Sequence, residues 1–128
     1  MINFHLRKHR VAKASFAENL DKEKKKSTEI GVEGNIMVPK SVEEEANVVI
    51  KLQFHLGGNN ERLFMTLETV SIFEVIDGST QELTEEIVQK KCLPVALAEL
   101  RKTVKKVSEA YGLPALDLAP FEGEDVEE

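Results

Sequence analysis

The sequence predicts an α+β fold with strands first and helices after, on two periodic patterns and one turn. Through the middle of the 128-residue chain apolar and polar residues alternate with period two, which places successive side chains on opposite faces of a strand. After Asp77-Gly78 the period becomes the 3.6 residues of a helix. Between these regions Gly57-Gly58-Asn59-Asn60 carries the residues that tolerate the positive φ of a tight hairpin, so the strands flanking it run antiparallel. Strands followed by helices imply α+β rather than a parallel βαβ arrangement.

The first strand is expected within Ile2 to Phe16, where Ile2, Phe4 and Leu6 share a face and the runs RKHR and AKA interrupt the alternation. The second covers Glu29 to Val38, with Ile30, Val32, Ile36 and Val38 opposite Glu29, Glu33 and Asn35, and Pro39 stops regular pairing. The third, Asn47 to Leu56, is the cleanest: Val48, Ile50, Leu52, Phe54 and Leu56 oppose Asn47, Lys51, Gln53 and His55. In the fourth, Glu61 to Ile76, apolar residues fill both faces, Leu63, Met65, Leu67 and Phe73 against Phe64, Val70, Ile72 and Ile76. Another subunit on the second face, or a bulge near Thr69, gives that pattern. Charged connections are expected around Asn19 to Ser27 and at Glu43-Glu44-Glu45.

Ser79 or Thr84 is placed to cap the start of the helical region. Leu93, Leu97, Leu100, Val104, Val107 and Tyr111 then recur at steps of four and three, one continuous stripe for packing on the sheet. Lys102, Lys105 and Lys106 fall on other faces. Pro94 marks a kink or the first turn of a second helical segment, because an interior proline removes a backbone donor. Gly112 and Pro114 end the helix.

The length suits one domain, and 41% hydrophobic with 31% charged residues suits a folded core with a soluble surface. No apolar run approaches the ~20 residues of a bilayer span, and the opening MINFHLRKHR lacks the apolar stretch of an export signal. A single cysteine, Cys92, forms no internal disulfide and suits a reducing compartment, so the expected location is the cytoplasm. A formal net charge of −6 opposes binding to nucleic acid, and the Lys22 to Lys26 run reads as a solvated loop without stacking aromatics.

The residues that carry chemistry do not assemble into a reaction centre. His5 and His9 are expected on one strand face as an ordinary surface pair, roughly 13 Å apart at ~3.3 Å per residue, too far for one metal. Carboxylate pairs such as Glu43 with Glu44 or Glu85 with Glu86 lack a partner geometry. Cys92, near Lys90 and Lys91 but with no identifiable histidine base, reads as a helix-packing residue. Gly57-Gly58 precedes a strand instead of a helix, so it is a hairpin and no phosphate loop. No catalytic residue, metal ligand or cofactor is expected, and the chain is read as no enzyme.

One stretch carries a resemblance. Tyr111 to Pro120, and within it Leu116-Asp117-Leu118-Ala119-Pro120, resembles the end of the SecB export-chaperone family, where a long helix runs into a Leu-polar-Leu-Ala-Pro motif. Ala14-Ser15-Phe16, Ile72-Phe73-Glu74-Val75 and Cys92 fall in matching order, so the likeness spans roughly residues 12 to 121. It implies a four-stranded antiparallel sheet followed by a short and a long helix packed on it, assembled as a homodimer or a dimer-of-dimers tetramer. It also implies ATP-independent capture of unfolded polypeptide in apolar grooves, with acidic surfaces for a basic partner. The alternative it allows is a selective adaptor or antitoxin-type chaperone for one dedicated partner, ahead of a small-molecule binder.

Polypeptide-binding residues expected from the resemblance and from the apolar residues near its motif are Phe16, Leu20, Leu113, Leu116, Leu118 and Phe121. The expected division is one domain over residues 1–121 and an acidic tail over 122–128. That tail stands where the family carries a final helix. Six Phe, one Tyr and no Trp leave fewer aromatic anchors than broad hydrophobic capture calls for.

Overall fold

The period-two segments all become strands in the computed structural model, which describes residues 2–19, 30–42, 46–57, 63–112, 118 and 121. They are β1 (Asn3–Glu18), β2 (Ile30–Met37), β3 (Asn47–Leu56) and β4 (Leu63–Asp77). A short 3-10 turn (Thr80–Glu82), α1 (Glu85–Lys91) and α2 (Leu93–Ala110) follow. The four strands form one antiparallel sheet in the order β1-β4-β3-β2. All of the expected connection from Asn19 to Ser27 except Asn19 itself, the Glu43-Glu44-Glu45 connection and the hairpin tip at 58–60 lie outside the described residues.

Alternation decides which side of the sheet is dry. Val48, Ile50, Leu52, Phe54 and Leu56 of β3 are all buried, while Lys51, Gln53 and His55 are exposed. Their partners across the ladder are Phe73, Ser71, Thr69, Leu67 and Met65 of β4, so both central strands present one face to the helices. The helical stripe meets that face: Ala96, Leu97, Leu100, Val104 and Ser108 are buried along α2. Leu93 and Val107 are half-buried against the same core.

The two-faced pattern of β4 does not come from a bulge in β4 at Thr69. Its register with β3 runs unbroken from Asn47↔Glu74 to Leu56↔Met65. The irregularities lie on the other side, between Leu6 and Lys8 and between Val11 and Lys13 of β1, with a third at Asn3/Phe4. An extra residue in β1 reverses which way every following side chain points. His5 therefore pairs with Glu74 on the face away from the helices, and His9 with Ser71 on the face toward them. The expectation that the two histidines share a face is overturned by the extra residue at Arg7.

Local signals set the helix ends. The Thr84 side chain accepts the Ile87 amide at 3.2 Å and caps α1. The Ser79 amide donates to Glu82 Oε1 at 3.0 Å and closes the 3-10 turn. Pro94 stands in the first turn of α2, where its missing N–H costs nothing, and Cys92 is the joint between the two helices. Gly112, at φ 80°, ends α2.

The segment before β1 is clamped to this helical region. The Ile2 amide donates to Glu82 Oε2 at 2.9 Å, and Lys91 Nζ donates to the Ile2 carbonyl at 2.7 Å. The Ile2 side chain is 1% exposed in the core. Gly78 makes this possible: at φ 120° a Cβ on it would stand 2.6 Å from the Ile2 Cα.

Candidate functional site

A helix is about 10 Å wide and strands lie about 4.8 Å apart, so one helix covers about two strands. In this sheet α2 packs on β3 and β4. The helix-side face of the edge strand β2 is left partly open, and an apolar groove of about 560 Å3 runs along it. Ile30, Val32 and Ile36 form one wall, Leu93 and Leu97 the other, and Phe121 enters from beyond α2. Gly34 leaves the middle of β2 without a side chain, and Leu52 fills the room: a Cβ on Gly34 would come within 2.7 Å of Leu52 Cδ2. Gln89 and Glu33 are the polar members of the lining.

The two edges of the sheet differ. β2 keeps an unbroken register with β3 from Ile30↔Leu56 to Met37↔Val49 and carries one charged residue, Glu33. β1 is irregular and exposes Arg7, Lys8, Arg10 and Lys13. Bulges and positive charge blunt an edge against strand addition, and a flat apolar edge invites it.

Of the six residues expected to bind polypeptide, three are described. Phe121 is half-buried in the groove, its ring centroid 6.2 Å from that of Phe54. Leu118 is half-buried against the same core. Phe16 stands at the opposite edge, stacked on Tyr111 at 5.4 Å, separated from Ile30 by Met65 and Leu56 in the same cross-strand row. Leu20, Leu113 and Leu116 lie outside the described residues. The groove walls from β2 and α2 were legible only as strand face and helix stripe, because periodicity shows which side is apolar and not how far one helix covers it.

A seam between β1, β4 and α2 carries a histidine between two hydroxyls. His9 Nδ1 lies 2.8 Å from Ser71 Oγ, and Nε2 lies 2.9 Å from Thr103 Oγ1. The Thr103 hydroxyl donates to the Glu99 carbonyl at 2.7 Å, so its oxygen accepts from Nε2–H and leaves Nδ1 to accept from Ser71. With both nitrogens engaged and Ser71 0% exposed, the pair is a structural tie between edge strand and helix. The expectation of an ordinary surface pair is corrected here for His9.

Burial holds His9 below its ordinary pKa; the Glu99 charge opposes this and Lys106 adds to it. The unfolded chain takes up a proton as pH falls through about 6.5, and the folded protein resists. The contribution of His9 to stability is complete above that pH and is lost as pH falls toward the folded value. The urea midpoint is expected to drop between pH 7.5 and 5.5, and His9→Gln to flatten that part of the slope. An equal slope in the variant would refute the assignment.

Cys92 is 0% exposed, and burial pushes its thiol up to about 12 against the pull of Lys91. The thiolate is the nucleophile, so the group is inert. Native protein is expected to leave iodoacetamide unreacted over hours, with one thiol modified in urea; rapid native alkylation would refute this placement. Among the described residues no three His, Cys, Asp or Glu side chains stand together to hold a metal ion. Among the same described residues, no helix is long and apolar enough to cross a membrane.

A four-stranded antiparallel sheet in this order, with a short and a long helix on one face, is a SecB-like fold. The Mycobacterium tuberculosis Rv1957 SecB-like chaperone, solved in complex with a ChAD peptide from the Rv1956 HigA1 antitoxin, has this fold. It aligns at TM-score 0.66 with 15% identity over 93% of this chain and 88% of that one. A protein of unknown function from Streptococcus agalactiae aligns at TM-score 0.52 with 16% identity over 93% of this chain and 98% of that one. At such identities the likeness is one of fold. No family model and no curated protein matches the sequence.

Proposed function

We propose that the protein is a protein-binding oligomer that holds extended polypeptide along the β2 edge, acting as an ATP-independent chaperone for unfolded chains. The observation that carries this reading is the groove itself: an apolar trough beside a regular edge strand that, among the described residues, is paired on one side only. An extended segment laid against β2 gains main-chain hydrogen bonds, and every second side chain drops into the trough. Backbone pairing is blind to sequence, which suits many clients, while the apolar walls select unfolded segments over folded surfaces. Binding without chemistry fits a buried, inert thiol and a histidine held by two hydroxyls.

The second reading is an adaptor or antitoxin-type chaperone for one dedicated partner, favoured by the antitoxin peptide bound to the similar Rv1957 fold. We assign the expected assembly, a homodimer or dimer of dimers, and a cytoplasmic location to the same proposal. We likewise propose one domain over residues 1–121 with an acidic tail beyond it.

The deciding experiment is light scattering on the purified protein, then aggregation of a chemically unfolded client with and without it. A dimer or tetramer that suppresses aggregation at near-stoichiometric amounts is the expected result. An oligomer that leaves aggregation unchanged, yet returns one stable partner from a pull-down, would replace the general chaperone with the dedicated adaptor. Unchanged aggregation and no partner would remove both.

A further inference from the structure

The face of the sheet away from the helices is ordered by charge along its cross-strand rows. One row runs Lys8, Ile72, Val49, Met37 from the β1 edge to the β2 edge. The next runs Arg10, Val70, Lys51, Asn35, and the third Lys13, Glu68, Gln53, Glu33. Apolar side chains fill most of the first row and the centre of the second. Val70 is 7% exposed although it points away from the helices, Ile72 and Val49 are half-buried, and Met37 is 49% exposed. The rim is positive along β1 and negative at Glu33 of β2. Between Lys13 and Glu33 the face dips into a hollow of about 380 Å3, lined also by Gln53, His55, Thr66 and Glu68.

We infer that a second copy of the chain docks on this face, sheet on sheet, about a two-fold axis parallel to the strands and between β3 and β4. That axis lays β1 of each copy over β2 of the other and keeps every row in register. Ile72 then meets the partner's Val49, Lys8 the partner's Met37 and Arg10 the partner's Asn35. Lys13 meets the partner's Glu33, a pair made twice, at the hollow. A two-fold axis across the strands would instead lay β1 on β1, with basic residue over basic residue. Charge selects the first packing, because like charges directly opposite are destabilising.

The geometry is that of packed sheets, about 10 Å apart and rotated by about 30°. At β1 and β2, about 7 Å from the axis, the rotation displaces a row by about 4 Å, which lysine and glutamate side chains span. Four strands over the 8 residues of β2 cover about 500 Å2 on each copy. The total of about 1,000 Å2 is the size at which an interface becomes specific. This rests on the homodimer assigned above and names its surface. The helix-side troughs of both copies stay open.

In sedimentation velocity the unaltered chain is expected as a dimer. Lys13→Glu and Glu33→Lys should each weaken it at least about tenfold, since each turns two attractive pairs into two repulsive ones. An equimolar mixture of the two variants should pair again, as should the double variant with itself. Lys13 and Glu33 stand on opposite edges of their own sheet, so this recovery does not arise within one chain. If the chain builds a tetramer, each single variant should fall to a dimer and the mixture should restore it.

Single variants that assemble as the unaltered chain does, or a mixture and double variant that stay dissociated, overturn the inference and leave any dimer to another surface. An unaltered chain that is monomeric throughout overturns the homodimer and this interface together. Should a variant not fold, carbodiimide coupling of the unaltered protein decides. In a mixture of isotope-labelled and unlabelled chains, Lys13 and Glu33 should be joined between a labelled and an unlabelled peptide, and the lack of such links overturns the inference.

Discussion

Leu100→Asp is expected to abolish cooperative folding. Leu100 is 0% exposed at the centre of the α2 stripe that meets the sheet. Removing its side chain from the core costs about 2–5 kcal/mol, and burying a carboxylate with no partner costs several more. Together they consume most of the about 5–15 kcal/mol that holds a domain of this size folded. The protein is expected in the insoluble fraction, or soluble without a melting transition. Val95→Asp, on the exposed flank of the same helix at 38% exposure, is expected to fold normally and controls for helix propensity. A normal melting curve for Leu100→Asp would displace α2 from the core.

Ile30→Asp is expected to separate binding from folding. Ile30 lines the groove but is 44% exposed, so the free protein leaves a carboxylate there hydrated and its melting temperature stays within a few degrees. A bound polypeptide would cover that position and strip its water, at about 2 kcal/mol, which is about thirtyfold in affinity. Anisotropy of a labelled unfolded chain measures the loss. Unchanged affinity with an intact fold would show that polypeptide binds elsewhere, and Met37→Asp, on the opposite face of β2, is the control expected to bind normally.

The order of elements and the dry face of each central strand were legible because alternation in β3 and the stripe in α2 are direct images of burial. β1 was less legible, and the reason is physical. Two of its three register shifts against β4 fall at Arg7 and Ala12, so RKHR and AKA are not noise in a strand but the sequence of its irregularities. A period-two reading carried across Arg7 puts His9 on the wrong face. Of the residues that line the groove, Phe121 was named from the apolar residues near the terminal motif, while Ile30, Val32, Ile36, Leu93 and Leu97 were read only as strand-face and helix-stripe positions. Which part of an apolar face stays uncovered depends on where the helix crosses the sheet, and no local pattern encodes that. Phe16 was grouped with Phe121 by a resemblance of sequence order, yet the sheet sets them at opposite edges.

The strand order β1-β4-β3-β2 also fixes a sequence of events during synthesis. β2 pairs with β3 and β3 with β4, each with its neighbour along the chain, so a hairpin can form as soon as Leu56 has emerged from the ribosome. β1 has only β4 to pair with, and Asn3 must wait for Asp77. Ile2 waits longer still, for Glu82 and Lys91. At ribosomal rates of about 5–20 residues per second the first-made strand stays without a partner for several seconds. The arginines and lysines that interrupt its apolar pattern are then what keeps it in solution, and replacing Arg7, Lys8 and Arg10 with threonine should lower the soluble yield from cells more than the stability of the refolded protein.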